Sequence, residues 1–302
     1  MLKTVIAGVD GLAGGQDAIA LARSLAPDAE IVLACAYPYD STVSRFALLG
    51  FGTALREQTK HEVRRERDAA GLPDARIELV ADTSPSHALH ELAEREHADL
   101  VVTGSSKRGK VGRALLGDVS RAVLHGSPCP VAVAPKGFKG GQVRVVGAAF
   151  NDSPEAREAL RFAADLARHH GARLCVRSAA QDPLAATGAT TYVVDYDKLR
   201  EDVRRETQHV LDEAVAALEP GLRVEAKAVV GSTAGVLDAL CAGVDVVVCG
   251  SREWGAMRRV VLGSTSDRLI HHAPCPVVVV PRTAVAHDGG TADVAQLAGT
   301  RD

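Results

Sequence analysis

Aromatic residues are scarce: one Trp, four Tyr and five Phe in 302 residues. That removes the stacking platforms on which single-stranded nucleic acid is held. An excess of one charge is also lacking, with 35 Lys and Arg against 38 Asp and Glu and a net charge of −3. A nucleic-acid or anionic-membrane surface needs concentrated cations, so neither partner is expected. No apolar run approaches the roughly 20 residues that span a bilayer. The apolar stretch of the opening MLKTVIAGVDG is cut off by Asp10 before it reaches signal-peptide length. Six cysteines, at 35, 129, 175, 241, 249 and 275, form no C-x-x-C pair. They read as reduced, buried thiols, and the expected location is cytoplasmic.

Two domains' worth of chain is present, with 46 % hydrophobic residues to build two cores. The chain repeats itself. Residues 98–135, ADLVVTGSSKRGKVGRALLGDVSRAVLHGSPCPVAVAP, align without a gap on residues 244–281, VDVVVCGSREWGAMRRVVLGSTSDRLIHHAPCPVVVVP, at a constant offset of 146. The starts of the two copies also correspond, residues 5–26 to residues 145–167. The chain is therefore a tandem repeat. Expected boundaries are domain 1 at 1–137, a glycine-rich linker at 138–142, domain 2 at 143–283 and a flexible tail at 284–302.

In each copy, apolar runs of strand length alternate with helical periodicity. Strands are expected at 4–9, 31–36, 77–81, 99–103 and 130–134, and again at 143–148, 173–177, 224–230, 245–249 and 276–280. Helices are expected between them, for example at 15–25, 85–97 and 119–125. The strands are continuously apolar, as in parallel sheets covered on both faces. Each copy is thus an α/β domain with a five-stranded, doubly wound (Rossmann-like) parallel sheet. The charged helices within 38–70 and 180–218 read as solvated faces.

Ligands of such sheets sit beyond the carboxyl ends of the strands. That selects the turns Asp10-Gly11-Leu12 and Asn151-Asp152-Ser153 after the first strands. It also selects the loops 104–118 and 250–264 after the fourth strands, each leading into a helix N-terminus suited to phosphate.

These residues, a strand ending in Asp, a loop of pattern G-x2-G-x9-G-[ST] and a closing S/A-P-C-P-V strand, resemble the universal stress protein family over about 280 of the 302 residues. The resemblance implies ATP binding, with Mg possible, little or no hydrolysis, a stress-response role and pairing through the last strand. In a tandem chain that pairing becomes an internal pseudo-dimer, alone or within a homodimer. Carried over residue by residue, it places Asp10 and Asn151 at the adenosine. It places Gly104, Lys107, Gly109 and Gly117, and Gly250, Gly255, Gly263, Ser264 and Thr265, around the phosphates. Lys107 and Glu253 stand where the motif has its second glycine, Asp118 where it has Ser or Thr, and Asn151 where it has Asp. Copy two reads better at phosphate and copy one at adenosine. The alternative is a degenerate stress protein that binds no nucleotide and acts as an interaction scaffold.

Other motifs carry less. Residues 104–111 approach a Walker A loop, but Val111 replaces its magnesium-holding hydroxyl. The first turn, DGLAGGQD, lacks the serines of an adenine-nucleotide α-hydrolase. His87, His90 and His97 read as a solvated helix surface, and His125, His271 and His272 as helix-end residues. Cys129 and Cys275, equivalent in the two Pro-Cys-Pro turns, would form a redox pair only if the halves packed through their last strands; the flanking prolines favour a structural role.

Overall fold

The computed structural model describes residues 2–11, 13–38, 51–105, 118–183, 195–251 and 264–281. In the first half, β1 (Thr4–Gly8), α1 (Ala13–Leu25), β2 (Glu30–Tyr37), α2 (Phe51–Ala69) and β3 (Arg76–Ala81) are followed by α3 (Pro85–Arg95), β4 (Leu100–Gly104), α4 (Asp118–Leu124) and β5 (Val131–Ala134). The second half repeats the order. It comprises β6 (Val145–Phe150), α5 (Pro154–His170), β7 (Arg173–Ala180), α6 (Tyr196–Ala216) and β8 (Val224–Val230), then α7 (Thr233–Cys241), β9 (Val246–Gly250), α8 (Ser264–His272) and β10 (Val277–Val280). All ten expected strands are present. The tail lies outside the described residues.

The strands form one sheet in the order β3-β2-β1-β4-β5-β10-β9-β6-β7-β8. Every neighbouring pair is parallel except the central one, where β5 and β10 run antiparallel with Ala132 opposite Val278. Those two residues are equivalents at the offset of 146, and Val131 and Val133 face Val279 and Val277 reciprocally. The seam is therefore isologous, a pseudo-twofold axis written into one chain.

Alternation along the strands sends Val5 and Ala7 to one face and Ile6 to the other. One face is covered by α1, α2, α5 and α6 through Ile19, Leu25, Val63, Leu160 and Leu211; the opposite face is covered by α3, α4, α7 and α8 through Leu92, Leu124, Leu237 and Ile270. Each layer crosses the seam without interruption.

Local chemistry fixes the elements. Ser153 caps α5 by accepting the Ala156 N–H, Pro154 pre-sets its first turn, and Gly171 ends it in the left-handed conformation. Asp99 accepts the N–H groups of Lys3 and Thr4, and its repeat equivalent Asp245 accepts those of Arg144 and Val145. The second clamp explains why β6 starts at Val145, two residues later than its apolar run begins. The expected linker and the residue before it are laid along α1: Gly137 N–H donates to buried Asp17 at 2.8 Å and Gly141 N–H to Ser24 Oγ at 3.1 Å. Burial raises the Asp17 pKa, partly offset by that Gly137 hydrogen bond.

Candidate functional site

Gly104 and Gly250 close β4 and β9, and both glycines are required by a helix. A Cβ on Gly104 would lie 2.0 Å from the carbonyl oxygen of Gly14, and one on Gly250 would lie 2.7 Å from that of Glu155. Gly14 and Glu155 open α1 and α5 at the same place in the repeat, so each strand end receives the backbone of the following half-turn. The Asp10 and Asn151 turns are thereby held beside the ends of β4 and β9, while the loops expected to complete the site lie outside the described residues.

The next residue in each copy is a serine that sequence reasoning passed over. Ser105 and Ser251 are buried, and neither hydroxyl has a hydrogen-bond partner among the described residues. The signal was available as the repeated Gly-Ser of 104–105 and 250–251, but a serine after a strand is too common to stand out.

In the second half these parts surround a cleft of about 460 Å³ lined by Asn151, Ser153, Arg177, Ser251, Thr265 and Ser266, among others. Asn151 Oδ1 accepts from the Ser153 hydroxyl at 2.9 Å, which fixes the turn. Asp152, at φ 59°, is ion-paired with Arg157. Ser264 opens α8, so the positive end of that helix and the Thr265 position lie at the cleft. Arg177 adds a cation held by Glu225 and by the Val176 carbonyl at 3.0 Å. It has no counterpart in the first half, where Ala34 occupies the same register beside the first strand.

The first half is electrostatically different. Glu66 reaches from α2 and accepts the Gly11 N–H at 3.2 Å through Oε2, while its buried Oε1 has no hydrogen-bond partner among the described residues. Burial first, then the Asp10 and Glu62 charges, push its pKa up to about 7 against the Gly11 hydrogen bond. Burial and the same acidic neighbours push Cys35 up to about 12. An anion entering there meets three carboxyl groups. In the second half Ala214 stands one turn after buried Leu211, as Glu66 stands one turn after buried Val63. Lys107, Gly109, Gly117, Gly255 and Gly263 lie outside the described residues, as does the Walker-like run beyond Ser105.

Among the histidines, His90 and His271 contact backbone carbonyls. His90 Nε2 lies 2.8 Å from the Val123 carbonyl, joining α3 to α4, and His271 Nδ1 lies 2.6 Å from the Asp267 carbonyl. The one group of metal-ligating side chains among the described residues is Asp82, His87 and Glu91, at the start of α3 and mostly exposed. Cys129 and Cys275 are not each other's neighbours: Cys129 sits by Ser127, and Cys275 contacts Cys241 within its own half.

A model of the universal stress protein family matches residues 1–135 and again 142–281. A universal stress protein of Mycobacterium tuberculosis (strain ATCC 25618 / H37Rv) is 30 % identical over 234 residues, covering 74 % of this chain and 76 % of its own. Among solved structures, a universal stress protein from Archaeoglobus fulgidus DSM 4304 covers 93 % of this chain and 98 % of its own, with a TM-score of 0.64 at 21 % identity; that likeness concerns the fold. A universal stress protein solved in complex with cAMP is 27 % identical and covers 45 % of this chain and 98 % of its own, at a TM-score of 0.33.

Proposed function

Because the chain belongs to the universal stress protein family, we propose that it is a stress-response regulator whose second half binds an adenine nucleotide, ATP, with little or no hydrolysis. The observation that carries this reading is the cleft of about 460 Å³ lined by Ser251, whose buried hydroxyl has no partner among the described residues, and by the N-terminal turn of α8. A buried hydroxyl without a partner costs about 1–3 kcal/mol, a cost that an acceptor oxygen from a ligand removes. Asn151 and Ser153 offer polar contacts on the β6 side, and Thr265 and Ser266 line the α8 side. Mg would enter with the phosphates.

The nucleotide acts here as an effector. It regulates by binding one arrangement of the second half better than another, and so shifts partners or stability by that difference. The scaffold reading has one observation of its own, the Asp10, Glu62 and Glu66 cluster, which repels phosphate from the first half. We therefore assign that half to internal pairing and contact, and the nucleotide to the second half. No helix among the described residues is long and apolar enough to cross a membrane. We place the protein in the cytoplasm, working as a single chain whose last strands pair internally.

Denaturing the freshly purified protein and analysing the supernatant by mass spectrometry tests the reading. An adenine nucleotide should be released, and titration calorimetry of the emptied protein should show Mg-ATP binding. Ser251→Ala should weaken that binding about five- to tenfold. A protein that is empty as purified and gives no heat with Mg-ATP would leave only the scaffold.

A further inference from the structure

Three cysteines of the second half share one buried core cluster. Cys241 ends α7, Cys249 lies in β9 and Cys275 stands in the turn before β10. The Cys241 and Cys275 thiols are in hydrogen-bond contact, and Cys249 is their neighbour through Cys241. The first half does not repeat this group. Aligned on their N-caps Ser84 and Ser232, α3 and α7 set Cys241 against Ala93; at the offset of 146 Cys249 corresponds to Thr103, and only Cys275 has a cysteine equivalent, Cys129. The thiol pair therefore belongs to one copy, and the duplication does not account for it.

Packing alone does not call for two adjacent sulfurs, because any small apolar side chain fills a core position. Closing an S–S bond between them needs the specific disulfide geometry, reached by movement of the segments that carry them. The two segments that carry them are short: α7 has nine residues, and the turn before β10 is a few residues long. Cys241 and Cys275 retain 3 % and 7 % exposure, so a water-sized oxidant needs only a local opening at the end of α7. Of the six cysteines, Cys241 is the one whose pKa is lowered, because the Cys275 thiol hydrogen-bonds to its sulfur; burial holds Cys129 and Cys249 up at about 12.

We propose that Cys241 and Cys275 form a reversible disulfide when the protein meets hydrogen peroxide, making the second half a thiol-redox site in addition to any ligand it binds. The Cys241 thiolate attacks one peroxide oxygen, the O–O bond breaks, and the departing hydroxide takes a proton to become water. The resulting sulfenic acid is attacked by the Cys275 sulfur, and its hydroxyl leaves as a second water. Two thiols lose two electrons and two protons, and one peroxide is reduced to two waters. A thiol reductant reverses the step by exchange.

The test uses the full-length wild-type protein, so it does not depend on a variant folding. Protein treated with hydrogen peroxide in native buffer is blocked with an alkylating agent, digested with trypsin and mapped by mass spectrometry. The expected product links the peptide 228–252 to the peptide 269–282, with fragmentation placing the bond at Cys241 and Cys275, not at Cys249. The link should vanish with dithiothreitol and in Cys241→Ser or Cys275→Ser, and persist in Cys129→Ser. The oxidised protein should also melt at a higher temperature than the reduced one. Six reduced thiols after treatment, a Cys241–Cys249 link, or a link that forms only in denaturant would each overturn the proposal. None of these results bears on whether the cleft binds ATP.

Discussion

Glu66 accepts the Gly11 N–H through one carboxylate oxygen and leaves the other buried without a partner among the described residues, beside Asp10 and Glu62. Such a group favours its protonated form in the fold, which is why its pKa rises to about 7. The sign of the linkage follows. The unfolded chain ionises Glu66 in the ordinary carboxylate range, so as pH rises from about 4.5 to 7 the unfolded state is stabilised more than the folded one. The wild-type protein should therefore lose stability relative to Glu66→Gln over that window, by on the order of 2–3 kcal/mol. Gln keeps an acceptor for Gly11 and removes the titration. Urea denaturation of both proteins at pH 5 and pH 8 measures the difference; a gap that does not change with pH would show that Glu66 titrates normally.

At the scale of the element, α1 and α5 each lay their first turn on the glycine that ends β4 or β9. Adding one methyl group there forces the helix away from the sheet. Gly104→Ala should cost about 3 kcal/mol or more, because its Cβ would lie 2.0 Å from the Gly14 carbonyl oxygen. Gly250→Ala should cost somewhat less, since its nearest contact is 2.7 Å. Chemical denaturation checks both, and a neutral Gly104→Ala would mean the helix start relaxes freely. The same glycines show what the sequence could convey. All ten strands were legible because a strand buried on both faces is a continuous apolar run, and the repeat supplied each reading twice. The glycines were legible as special, yet the motif suggests phosphate approach, whereas the contact that forbids a Cβ is the neighbouring helix. Glu66 was illegible for a different reason: α2 reads as a charged, solvated helix, and periodicity finds its buried Val63 but not a carboxylate one turn on that turns inward. Ser251 is a single hydroxyl whose burial without a partner among the described residues exists only in three dimensions.

At the scale of the whole molecule, β5 and β10 use against each other the edges through which separate subunits would pair. Both helical layers continue across that seam. Side chains also bridge it: His170 Nε2 lies 3.0 Å from the Leu25 carbonyl, and Arg121 lies 3.3 Å from His271 and 3.9 Å from Asp267. Two halves joined only by a tether would unfold independently, the weaker first. Halves sharing two cores and a sheet cannot, because opening either one exposes the other's apolar edge. The full chain should therefore unfold in a single calorimetric transition, with calorimetric and van't Hoff enthalpies in agreement. Val278→Pro tests the cause, since it removes a donor and inserts a ring opposite Ala132 at the centre of the seam. That variant should show two transitions or a lower, broader one, and should open edges through which chains associate, read as added mass in light scattering. A wild-type protein that already melts in two steps would mean the halves are coupled by the linker alone, and the pseudo-twofold seam would then contribute little to holding the molecule together.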